Sequence, residues 1–230
     1  MEEEKVKTEK KITKVNSDGT KKTTSTKAER KEGAKGKRIA AILFWLAAIV
    51  CEVFAIMVIS GYMFTQMDTL TAAIIWLAAD LVLVIVGSQF WKKANDIDPA
   101  SEANKVKFFL WNQMGLIVSI LAFFPFIAIL LKDKDMDPKT KKVLTIVAAA
   151  ALALCSIFSI DFHPASEEDL IAAEEAIGDE DVYWTKYGKS YHIDPDCSSL
   201  TRSKELFAGS IDDAFSANRN DPCDFCVPQE

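Results

Sequence analysis

The chain has 230 residues, half of them hydrophobic and 26% charged, with a formal net charge of −6. Such averages suit an ordinary soluble domain, but here charged and apolar residues occupy separate stretches. The net charge therefore describes no single surface, and one uniformly mixed globular domain is excluded.

Residues 1–38 carry 13 Lys/Arg against 7 Asp/Glu and almost no large apolar side chains. Such a segment cannot bury enough apolar surface to offset its ordering entropy, so it reads as a disordered basic tail. It sets topology, or tethers the chain to anionic lipid or another polyanion, an attraction that its glutamates weaken. No cleavable signal peptide is visible. The first apolar run starts near residue 39 and is too long for a signal core, which makes it an uncleaved anchor.

Four apolar runs fill 39–160, at about 39–60, 71–91, 108–131 and 143–160. At 1.5 Å per residue they reach roughly 27–36 Å, the thickness of a hydrocarbon core. Hydrophobicity runs all round each segment, whereas a soluble helix would show a polar stripe. Trp91 and Trp111 flank the second loop beside Lys92, Lys93, Lys105 and Lys107, a combination that marks a membrane interface. Pro125 is expected to kink the third span. Ala149-xxx-Ala153 and Ala151-xxx-Cys155 let the fourth approach a neighbour closely, within the chain or in a homo-oligomer. His163, just past that span, reads as an interfacial side chain.

Lysine and arginine counts set the orientation. The tail has 13, the first loop none and the second loop four, which places the N-terminus in the cytoplasm. Four spans return the C-terminus to the same side, giving a multi-pass plasma-membrane protein with both termini cytoplasmic. The third loop, with five lysines interleaved with Asp133, Asp135 and Asp137, opposes this assignment.

Glu52 and Asp80 fall in the middle of spans one and two, and no Lys, Arg or His lies in any span to pair with them. A carboxylate at that depth costs several kcal/mol and is a functional candidate. The two acids are expected at similar depth, where they could meet. They either hydrogen-bond the helices together, with help from Asn112 or Gln113, or serve a proton or cation path.

Residues 161–178 read as a helical stalk, capped by Ser166, with Glu167, Glu168 and Asp169 in its first turn and Gly178 at its end. Residues 179–230 form a separate module. Its aromatic-rich stretch from Val182 suggests a β-hairpin closing on His192, and Ser210 with Asp213 forms a capping-box start for a helix over Ile211–Arg219. His192, Cys197, Cys223 and Cys226 follow the pattern H-x4-C, 25 residues, then C-x2-C. Four N/S donors are what one structural zinc ion takes, in a tetrahedral shell with no open position. A domain this small usually needs such a staple. Free thiols are the alternative. A disulfide would leave one of the three tail cysteines over.

Tyr191-His192, Cys197 and the closing Pro222-Cys223-x-x-Cys226 resemble short bacterial modules related to the metal-binding domain of the Ada DNA-repair protein. The resemblance covers about 182–226 and leaves the membrane spans unassigned. His192 stands where that domain has a cysteine, and the glycine often found before Pro-Cys is replaced by Asn218-Arg219-Asn220-Asp221. The resemblance implies a zinc-binding appendage, and its sharpest consequence would be methyl-acceptor chemistry at Cys197. Imidazole in place of a thiolate removes one negative charge and makes the other thiolates less nucleophilic. No DNA-reading domain accompanies the module, which argues against nucleic acid as a partner.

The expected fold is mainly α, a four-helix transmembrane bundle with a small α+β zinc module. The leading functional reading is a non-enzymatic membrane protein whose zinc-stabilised tail binds a protein partner. A small transporter or channel subunit using Glu52 and Asp80 is the second reading, and zinc-thiolate chemistry the third.

Overall fold

The computed structural model describes residues 10–15, 26–63 and 66–228, and the following statements concern those residues. The chain divides into two compact units. One gathers the described part of 1–32 with 96–102 and 165–228. The other comprises 33–95, with its first loop described in part, and 103–164.

The second unit is helical. Helices α1 (Lys27–Ile59), α2 (Thr69–Ile97), α4 (Met114–Lys132) and α5 (Pro138–Ser159) are each long and apolar enough to cross a membrane. Only about a third of each apolar stretch is buried within the unit. Leu43, Val82, Leu121, Phe124 and Ile146 point outward, a surface that suits lipid and not water. Inside, alanines of α1, α2 and α5 face Phe123, Phe126 and Leu130 of α4. Ala151 and Cys155 are buried here, whereas Ala149 and Ala153 face outward.

The third span differs from its sequence expectation. Residues 105–112 form a separate helix, α3 (Lys105–Asn112), capped by the Asn104 side chain accepting from the Lys107 N–H. Gln113 leaves helical geometry with ψ at 17°, and the span itself starts at Met114. Polar side chains explain the break. Asn95 Nδ2 donates to Asn112 Oδ1 at 3.1 Å, and Gln113 Nε2 donates to the Asp161 carbonyl at 2.8 Å. Helix α4 runs through Pro125. Trp91, expected at the lipid interface, is 4% exposed, its ring packed at a tilt against those of Trp45 and Trp111.

The first unit is an α+β module. Strand β1 (Lys11–Lys14) pairs in parallel with β4 (Glu205–Gly209), which pairs antiparallel with β2 (Val182–Trp184). A second sheet joins β3 (Ser190–Tyr191) to β5 (Asp221–Pro222). Helices α6 (Glu167–Ile177) and α7 (Ile211–Ser216) bury Leu170, Ala173, Ile177, Ile211, Ala214 and Phe215 in a core shared with Val182, Trp184, Tyr191 and Leu206. Both helices open with complete capping boxes, at Ser166/Asp169 and Ser210/Asp213. Gly178, at φ 64°, ends α6 in a conformation that only glycine adopts without strain. Helix α7 stops at Ser216, three residues short of expectation.

Two expectations change. The segment read as a stalk is part of the module core. The tail read as disordered is structured at Lys11–Lys14 and from Lys27 onward, while 1–9 and 16–25 lie outside the described residues. Backbone pairing holds β1, with the Lys11 N–H donating to Lys204 O and the Val15 N–H to Ala208 O, both at 2.9 Å. The start of α1 is held by ion pairs, Lys27 to Glu167 at 2.7 Å and Arg30 to Glu174 at 3.0 Å.

Candidate metal centre

Local backbone bonds deliver four ligands to one point. Tyr183 and His192 exchange both main-chain hydrogen bonds, at 2.7 and 2.8 Å, which fixes His192 at the hairpin end. The β3–β5 pairing continues as the Cys223 N–H donates to Tyr191 O at 3.1 Å, so Cys223 lies beside His192 in register. An Asx turn at Asp194 and the 3-10 turn Ser198–Leu200 bracket Cys197. The C-x2-C loop closes with the Val227 N–H on Cys223 O at 3.0 Å.

The donor atoms of His192, Cys197, Cys223 and Cys226 all lie within 4.8 Å of one another. Cys197 Sγ and Cys223 Sγ are 3.8 Å apart, and Cys226 Sγ is 3.6 Å from His192 Nδ1. Zinc bonds of about 2.3 Å to sulfur and 2.0 Å to nitrogen place tetrahedral ligands about 3.5–3.8 Å apart. The spacing therefore fits a zinc ion, whereas a disulfide would need about 2.05 Å. All three cysteines are free thiols.

The surroundings treat the candidate ligands unequally. Burial, and then the charge of Lys10, lower the His192 pKa and keep its imidazole neutral, the form that binds a metal. Burial acts to raise the Cys223 thiol, but N–H groups of Phe225 and Cys226, together with the side chains of Ser199 and Cys197, outweigh it, leaving the pKa below its ordinary value. Burial pushes Cys226 up to about 11, against N–H groups of Asp194 and Ile193, with Cys197 and Cys223 adding to the rise. Three thiols this close cannot all ionise without a cation among them, and a metal supplies one. His192, Cys197 and Cys223 are 4–6% exposed, and Cys226 somewhat more.

The Lys10 ammonium donates to Pro195 O at 2.6 Å and pairs with Asp196 at 3.6 Å, inside the loop between His192 and Cys197. Sequence reading missed this neighbour, since a lysine 185 residues away from Pro195 carries no local signal.

In the helical unit Glu52 and Asp80 are 5% and 0% exposed. They lie within electrostatic range of each other. The Phe126 N–H, next to Pro125, donates to Glu52 Oε1 at 3.3 Å. Asn112 and Gln113, expected to assist the two acids, instead bond to Asn95 and Asp161. No protein-family model matches the chain, and no curated protein or solved structure shows significant similarity to it.

Proposed function

We propose that this protein is a non-enzymatic, multi-pass membrane protein that displays a zinc-stabilised module for binding a protein partner. One observation carries the reading. Four protein donors converge at tetrahedral spacing, so a bound zinc ion would have a closed shell, which suits structure and leaves no position for an activated water.

His192, Cys197, Cys223 and Cys226 would hold the ion, and it would cross-link β3, the Cys197 loop and the C-terminal turn. The arrangement resembles the Ada-related bacterial modules, with imidazole as one ligand. Methyl-acceptor chemistry is disfavoured, because Cys197 is 4% exposed and its sulfur is close to Cys223. The exposed rings of Phe225, within the C-x2-C loop, and Tyr187, at the hairpin tip, are suited to partner contact. We place the module and both termini in the cytoplasm of a bacterial cell, where thiols stay reduced.

The test uses the full chain, because β1 and α6 belong to the module. Purified without chelator, it should carry about one zinc per chain, lost in Cys223→Ser and Cys226→Ser. A folded, metal-free wild type would sink the metal centre. A photo-crosslinking residue at Phe225 in intact membranes should capture a defined protein, and exclusive capture of lipid would sink the partner reading.

A further inference from the structure

Helix α3 has eight residues, about 12 Å at 1.5 Å each, too short to cross a membrane. The span after it, α4, has 19 and covers about 28 Å by itself, so α3 falls in the headgroup region. Val106, Phe109 and Leu110 stand at helical spacing on one face of α3 and are 69%, 60% and 47% exposed. Lys105 and Lys107 stand beside them, and the helix carries no acid.

An open groove of about 400 Å³ follows this helix, within the size range of small-molecule sites. Its lining changes in character along the chain. Asn104 and Lys107 line one end, and Leu110, Trp111 and Met114 line the other. Because helical geometry breaks at Gln113, Met114 heads span α4 and marks the membrane end of the groove. The polar end therefore lies farther from the hydrocarbon and the apolar end nearer to it. Headgroup and acyl chain of a phospholipid follow the same order.

The polar end is positive. No Asp or Glu lines the groove. Asn104 uses its side-chain oxygen to accept from the Lys107 N–H at 3.0 Å, which leaves its NH2 as a donor. Arg38 of α1 holds its guanidinium 5.4 Å from the centre of the Trp111 ring, within cation–π range, and brings a second cation to the groove wall. An ammonium, an amide donor and a guanidinium together suit a phosphate. A second copy of the chain suits the groove less well. Two copies meeting on this face would bring the same lysines together, with no acid in the groove between them.

We propose that the α3 groove binds one anionic phospholipid, with its phosphate at Lys107 and Asn104 and the start of an acyl chain along Leu110 and Met114. The lipid joins α3 to the leaflet at the point where α4 enters it. The inference rests on the membrane reading and is independent of the metal centre and of the module's partner.

The test titrates the full-length protein in detergent with phosphatidylglycerol and with phosphatidylcholine of the same acyl chains, counting bound lipid by native mass spectrometry. One phosphatidylglycerol per chain should bind, about fivefold more tightly than phosphatidylcholine, the factor expected from one lysine facing an anionic lipid. Lys107→Gln should remove that preference. Leu110→Trp, which fills the groove, should remove the bound lipid at unchanged helix content. Lys134→Gln, beyond the opposite end of α4, should change neither. Equal binding of the two lipids overturns the site and leaves the membrane reading intact. A preference that survives Lys107→Gln, or that Lys134→Gln lowers equally, overturns it in favour of general surface charge. Undiminished binding in Leu110→Trp excludes the groove, and displacement of the lipid by inorganic phosphate overturns the proposal in favour of a simple anion site. Should Leu110→Trp fail to fold, tail-brominated phosphatidylglycerol should quench a part of the wild-type tryptophan emission that Trp111→Phe lacks. Identical quenching of the two proteins would be equally decisive against it.

Discussion

The two units solve the burial problem in opposite ways. The helical unit keeps large apolar side chains on its outside and places Glu52, Asp80, Ser88, Asn95, Asn112, Ser119 and Ser159 within. The module keeps lysines and acids outside and buries Trp184, Leu206, Ile211 and Phe215 beside its thiols. Lipid offers no hydrophobic gain for packing helix on helix, so small residues and hydrogen bonds must hold them. Water offers that gain to the module, but its core is too small to suffice, and four metal donors sit in the loops that the core leaves loose.

The largest expected effect breaks the module alone. A strong chelator, or Cys223→Ser, should unfold it, since metal binding in such domains is worth on the order of 10 kcal/mol. Hydrogen exchange should then rise throughout 165–228 while α2, α4 and α5 stay protected. Loss of protection in both units together would contradict the contrast.

Arg30→Ala comes next. Arg30 is 8% exposed, between Glu174 at 3.0 Å and Asp212 at 3.8 Å. Removing the cation from a buried cluster costs about 3 kcal/mol. Burial, followed by Asp212, raises the Glu174 pKa, with Arg30 acting against the rise. A raised carboxyl favours the fold below its ordinary titration range and loses that contribution as pH rises through the folded pKa. The destabilisation in Arg30→Ala should therefore be larger at neutral than at acid pH, as measured by thermal unfolding.

Gly115→Ala probes the other unit. Its new methyl overlaps Ser88, and overpacking costs about 1–3 kcal/mol. Thermal stability of the bundle in detergent should fall while zinc content stays unchanged. The smallest effect is Ser210→Ala, which removes the acceptor for the Asp213 N–H and should cost the module about 1 kcal/mol. A denaturant midpoint shift confined to the module would show this.

Much was legible along the chain. Apolar spans, the helix caps at Ser166 and Ser210 and the His/Cys pattern are local properties, written in residue type and short spacing. The break at Gln113 was hidden because an apolar run masks two amides whose partners, Asn95 on α2 and Asp161 just past α5, lie far along the chain. Strand β1 was hidden because Lys-Ile-Thr-Lys has no apolar face and all four residues stay exposed, so its pairing rests on the backbone. The hydrogen bonds that join Ser88, Ser119 and Ser159 were hidden because three serines scattered over three helices form no motif.

The sequence by itself determined that four helices are apolar enough to span a membrane and that the C-terminal module carries four His/Cys donors that could hold a metal ion. Those follow from composition and spacing, which no packing alters. Only the tertiary structure decided that Lys10 reaches the loop between His192 and Cys197, that Glu52 meets the backbone beside Pro125, and that Ser88, Ser119 and Ser159 meet across three helices. Such contacts join residues tens to hundreds of positions apart, and they are fixed by packing, above all where a glycine or alanine lets two helices close.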